Sequence, residues 1–149
     1  MTTFYCLPCS DFAHNTFPFT IATWPVVLSK DGKKILLHKS QSTGKWQFIG
    51  GRYNDCMTFR ENALHHAELV VWKNTIQLID EEHPVLLMDE IDLREEEEQV
   101  LLIHYKATIE NEKNVGEATW FTLDEIKMLD AKEETSSSNI RIVSEKLLG

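Results

Sequence analysis

STGKWQFIGGRYNDC, residues 42–56, runs into TFRENALHHAELVVW, residues 58–72, and the junction of these two stretches decides the fold. The first carries three glycines and the polar punctuation of a structured loop. The second reads as a helix from Thr58 to about Trp72. Thr58 and Glu61 have the T-x-x-E spacing of a capping box, in which each side chain satisfies a free backbone N–H of the other. Phe59, Ala63, Ala67 and Val70 fall on one apolar stripe for packing against a sheet. Glu61, His65 and Glu68 line another face, with His66 and Leu69 beside it.

Strands lie to either side. Residues 20–29, TIATWPVVLS, read as a strand interrupted by Pro25, which suits an edge or a bulge because proline offers no N–H to a ladder. Asp31-Gly32 makes a hairpin turn, and KILLHKS returns as a second strand. Downstream, HPVLLMDEI and QVLLIHYKATI are two more strands joined by the charged DLREEEE, whose Glu95 to Glu98 read as a hairpin connection shielding an edge. GEATWFTLDEIKMLD holds a short strand and a helix with a second capping box, Thr122 and Glu125. AKEETSSSN is a polar linker. NIRIVSEKLLG is a last amphipathic helix, with Ile140, Val143 and Leu147 inward and Gly149 placed for its C-cap. No internal repeat is present. The order implies an α+β domain, a mixed sheet with helices packed against it.

Composition narrows the class. The 149 residues carry 15 Lys+Arg against 24 Asp+Glu, a net charge of −9, with 42 % hydrophobic residues, which excludes intrinsic disorder and predicts one domain. Three cysteines cannot all pair, so a disulfide scaffold is excluded. No apolar run reaches the ~18 residues of a membrane span, and the N-terminus does not read as a signal peptide. The acidic balance argues against nonspecific nucleic-acid binding, which needs a basic face. A cytoplasmic protein with neither nucleic acid nor membrane as partner is expected.

Three segments, in order, resemble the Nudix hydrolase family: the DGKKILLHKS hairpin with GKWQFIGGR, the helix after the double glycine, and GEATWFTLDEIKML. They span roughly residues 20–130. The resemblance implies an α/β/α sandwich around a mixed sheet, cleavage of a nucleoside diphosphate linked to another group at its pyrophosphate, and Mg²⁺ or Mn²⁺ as cofactor. A nucleotide-like small molecule or a protein is the implied partner, with a homodimer open.

The family's signature is G-x5-E-x7-R-E-U-x-E-E-x-G-U, U being bulky and aliphatic. Its glutamates hold divalent ions that neutralise a diphosphate and activate water. Aligned from Gly51, this chain has Met57 for the first glutamate, His65 and His66 for the arginine-glutamate pair, and Leu69 and Val70 for the later glutamates. Trp72 and Lys73 stand for the closing pair. A hard cation facing Leu69 and Val70 lacks oxygen ligands, so catalysis at the usual place is doubtful. A degenerate, non-catalytic Nudix module that binds a nucleotide or a protein is the alternative.

Relocated ligands are one way to retain activity. Glu61, His65 and Glu68 share a helical face, and with His66 they make a candidate metal set suited to Mn²⁺ or Zn²⁺; against this, Glu61 serves the cap and the rest form a solvated face. Glu117 lies where the family often has an assisting loop glutamate, or is a solvated residue before a strand. Gly50, Gly51 and Arg52 are candidate substrate contacts, Arg52 through its forked donors or as plain surface. Trp46 is either a stacking platform or, more often for tryptophan, core. Cys6 and Cys9 form a C-x2-C pair that a zinc site would complete with Cys56 and His14, or a redox pair, or simply two reduced thiols. His38, His83 and His104 read as structural.

Overall fold

A computed structural model describes residues 20–54, 56–71, 74–93 and 96–148, with side chains at 89–98 left aside. The elements are β1 (Thr20–Leu28), β2 (Lys34–Lys39), β3 (Trp46–Gln47), β4 (Gly51–Arg52), α1 (Phe59–Val70), β5 (Ile76–Ile79), β6 (Val85–Leu93), β7 (Glu96–Ile109), β8 (Thr119–Thr122), α2 (Leu123–Ala131) and α3 (Asn139–Leu148).

One mixed sheet organises them. β1 runs parallel to β7 from Thr20↔Val100 to Leu28↔Thr108. β7 pairs antiparallel with β6 and with β5 along its length. On the other side β1 meets β4 at Ala22↔Arg52 and Thr23↔Gly51, and β2 at Leu28↔Ile35. β2 also pairs with β8, from Lys34↔Thr122 to Leu37↔Thr119, and with β3 at His38↔Gln47 and Lys39↔Trp46.

Both faces are covered, and the two-residue period of the strands sorts the core. Val26, Leu28, Ile35 and Leu37 point to the layer of α2 and α3, packing with Phe48, Ile126, Ile140 and Val143. Val27 and Leu36 point the other way, where Ala67, Val71 and Ala107 join them under α1. Ala63 closes a third cluster with Ile21, Ile103 and Tyr105. The outcome is the expected three-layer sandwich.

Several local expectations change. Pro25 is not on an edge: β1 is interior, paired with β7 throughout. It is tolerated because β1 has no ladder partner on its other side between Thr23 and Leu28. Ile21 accepts from Tyr53 N on that side, so by strand alternation the Pro25 nitrogen faces the same gap. The helix ends at Val70, not Trp72. Its cap is one-sided: Thr58 accepts from Glu61 N, but the Glu61 carboxylate takes the Thr58 hydroxyl (3.0 Å) instead of the Thr58 N–H. At α2 the reciprocal box forms in full. The acidic run is mostly strand, since the β6–β7 register closes at Leu93↔Glu96. The polar linker is docked, with Thr135 buried and Trp46 exchanging backbone hydrogen bonds with Glu134 and Ser136. β3, β4 and β5, at two to four residues each, were too short for periodicity to reveal.

Candidate functional site

The double glycine lets the chain cross β1 at close range. Gly50 has φ +148°, and a Cβ there would lie 2.5 Å from the Thr23 carbonyl oxygen and 2.6 Å from the Trp24 ring. A Cβ on Gly51 would lie 2.8 Å from the His66 ring. His66 therefore packs on Gly51, with its Nε2 3.2 Å from the Arg52 carbonyl oxygen, and it serves the loop. Buried Asn62 completes the clamp, donating from Nδ2 to Thr23 Oγ1 (2.6 Å) and accepting from Asn54 N (3.0 Å). Nothing in the sequence distinguished Asn62 from an exposed helix polar residue.

Beyond this clamp, α1 reaches a cleft of about 800 Å³, walled by the end of β2 and its turn (His38, Lys39, Ser40, Gln41, Ser42), by Trp46, by Leu69 and Val70, and by Gly116 and Glu117. Gly116 has φ +60°, and a Cβ on it would lie 2.9 Å from the Val70 carbonyl oxygen. Glycine thus lets the loop before β8 abut the last turn of α1, bringing Glu117 to the rim. Asn74 braces that loop, donating to the carbonyls of Asn111 (2.7 Å) and Asn114 (2.6 Å), while Trp120 Nε1 donates to the Glu112 carbonyl (2.9 Å).

Trp46 is partly core and partly cleft lining. It packs on the core with its ring edge-on to Phe121 at 4.8 Å, and it lines the cleft, where the Lys39 ammonium sits 5.8 Å from its ring centroid. His38 is half-buried, and desolvation holds its imidazole below the usual histidine pKa, hence neutral; Gln47 lies beside it, Nε2 to Nε2 at 3.4 Å. Leu69 is 67 % exposed.

Of the sequence candidates, the cleft gathers Glu117 and Trp46. Gly50 and Gly51 lie behind it as backbone devices, and Arg52 is on the surface. Glu61, His65 and Glu68 are exposed along α1, away from the cleft lining. Cys6, Cys9 and His14 fall outside the described residues. Cys56 is disulfide-bonded, and a sulfur so held supplies no thiolate, which removes it from the zinc quartet. His38, read from the sequence as structural, lines the cleft, and Lys39 and Ser40 are cleft residues that sequence reasoning passed over, although the cationic and hydroxyl-rich KSQST was a visible signal.

A divalent cation does not fit this donor set. Among the described residues the cleft offers a single carboxylate, Glu117, and Leu69 and Val70 supply hydrocarbon. Among the described residues no group of three or more His, Cys, Asp or Glu is arranged to hold a metal ion. Mg²⁺ and Ca²⁺ require several oxygen ligands.

The sheet order and the three layers define an α+β sandwich around a mixed sheet, and the solved structures identify which one. The fold is that of the Nudix hydrolases. A possible asymmetric diadenosine tetraphosphate hydrolase from Jonesia denitrificans superposes with TM-score 0.64 and 15 % identity, over 88 % of this chain and 93 % of that one. A Nudix-family hydrolase from Clostridium perfringens gives TM-score 0.63 and 16 % identity, over 86 % and 95 %. The dihydroneopterin triphosphate pyrophosphohydrolase of E. coli gives 0.59 and 14 %, over 86 % and 94 %. No protein-family model and no curated protein matches the sequence. No helix of the described residues is long and apolar enough to cross a membrane.

Proposed function

We propose that this Nudix-fold chain binds a nucleotide-like small molecule in the cleft at the end of α1 and does not hydrolyse it with a divalent metal. One observation carries the reading: the helix positions that face the cleft are Leu69 and Val70, hydrocarbon where pyrophosphate hydrolysis by this fold requires carboxylates. Without a cation, a diphosphate meets one lysine and one glutamate in a chain of net charge −9, which is poor compensation for its charge. The test is phosphorus NMR of ADP-ribose and diadenosine tetraphosphate incubated with the protein and Mg²⁺ or Mn²⁺. With the metal chelated before the spectra are recorded, unhydrolysed ADP-ribose and diadenosine tetraphosphate are expected, and AMP added without metal is expected to shift the protein amide resonances of Lys39 to Ser42.

A second reading is favoured by Glu117 at the rim: a Nudix hydrolase with a reduced ligand set. It requires metal-dependent turnover that Glu117→Gln abolishes.

A further inference from the structure

The walls of the cleft differ in chemistry. Trp46, Leu69 and Val70 supply apolar lining; Lys39, whose ammonium lies 5.8 Å from the Trp46 ring centroid, and Ser40 and Ser42 supply polar lining. Lys39 makes no ion pair with any described residue, and Glu117 makes none either, although both line the same cleft. Apolar side chains and one ammonium in the same cleft suit a ligand with a flat apolar body and a single negative end. A chain of phosphates would bring further charges against Glu117.

We propose that the cleft selects a planar aromatic molecule bearing one anionic group, its ring on the apolar lining of Trp46, Leu69 and Val70 and its anion on Lys39. The proposal rests on the metal-free binding reading and adds the ligand class. Lys39 supplies charge-assisted hydrogen bonds, the mutually bonded Ser40 and Ser42 hydroxyls leave one O–H to donate another, and the apolar lining takes the ring. Glu117 sets the limit on charge, repelling a second anionic group. An aromatic carboxylate and a nucleoside monophosphate share this chemistry.

Calorimetry on the full chain without added metal tests it with two matched pairs: indole-3-acetate against indole-3-ethanol, and AMP against adenosine. At least one acid is expected to bind about tenfold tighter than its neutral counterpart, the scale of one hydrogen bond to a charged group. Whichever pair responds tells a carboxylate ligand from a phosphate. Lys39→Met is expected to erase the preference, Leu69→Ser to weaken both members of the pair alike, and Glu117→Gln to strengthen the acid. Equal binding of acid and neutral partner, a preference that survives Lys39→Met, or binding of neither pair overturns the proposal. Equal binding leaves metal-free binding standing, whereas metal-dependent turnover of a diphosphate overturns that reading instead, so the two failures are separable. Circular dichroism of each variant establishes that it is folded.

Discussion

Two glycine-containing units lead to the cleft, and they bring different groups to it. In the first, Gly50 and Gly51 press the chain against Thr23, Trp24 and His66 before α1 begins, but the helix arrives at the cleft with Leu69 and Val70. In the second, Gly116 presses against the Val70 carbonyl, Glu117 follows at once, and β8 leads into α2 through a complete capping box. Both keep the backbone devices that closely packed layers require. Only the second brings a carboxylate to the cleft. The devices that hold a fold together and the groups that do its chemistry are separable, because an exposed carboxylate contributes little to stability while a glycine under a carbonyl oxygen has no substitute.

The largest way to break the first unit is Gly50→Ala. Its φ of +148° disfavours any Cβ, and the new atom would meet both backbone and ring. A loss on the order of 3 kcal/mol in chemical denaturation is expected. Gly116→Ala, facing a single carbonyl oxygen, is expected to cost less.

The floor beneath Gly50 gives the next effect. His104 stacks near Trp24 at 6.5 Å and meets Phe48 edge-on at 5.5 Å, with Nδ1 donating to the Val85 carbonyl at 3.1 Å. Burial pushes its pKa down to about 4, against 6.5 when unfolded. The folded state stays neutral while the unfolded chain takes up a proton. Stability is therefore complete above pH 6.5 and is lost as pH falls toward 4, by about 2–3 kcal/mol. Denaturation midpoints between those pH values, alongside an NMR titration of the His104 ring, check this; a ring that protonates near 6.5 would refute it.

A finer comparison concerns His66. Gly51→Ala would place a Cβ against the movable end of that ring, so about 1 kcal/mol is expected, and the cost should shrink in a His66→Ala background. Additive losses in the double-mutant cycle would remove His66 from the clamp. Smallest are the caps. Thr122→Ala, in the reciprocal box, is expected to cost about 1 kcal/mol, and Thr58→Ala, in the one-sided cap, less. The reverse order would show that the Thr58–Glu61 side-chain bond replaces the missing half.

The three-layer plan was legible because long strands and helices advertise their period. Val26, Leu28, Ile35 and Leu37 alternate with Val27 and Leu36, and Ala63 and Ala67 mark the buried face of α1. Pro25 misled because a proline rule cannot see a gap created by two partners that stop short of each other. The cleft was legible by half. Glu117 and Trp46 stood out, and the absent carboxylates were countable from Gly51. Lys39 and His38 did not stand out, because their place depends on β2 pairing with both β3 and β8, a tertiary fact. Asn62 was equally hidden, since its partners Thr23 and Asn54 lie on separate segments.

The central claim is that the end of α1 lacks the ligands for a divalent cation while the fold around it is intact. Titration of Mn²⁺ into the purified chain, followed by electron paramagnetic resonance, tests this directly when run beside Leu69→Glu/Val70→Glu. The account predicts that the wild-type chain leaves the Mn²⁺ spectrum that of the free ion and that the double variant, with Glu117, takes up the metal. Stoichiometric Mn²⁺ binding by the wild-type chain, lost in Glu117→Gln, would contradict it.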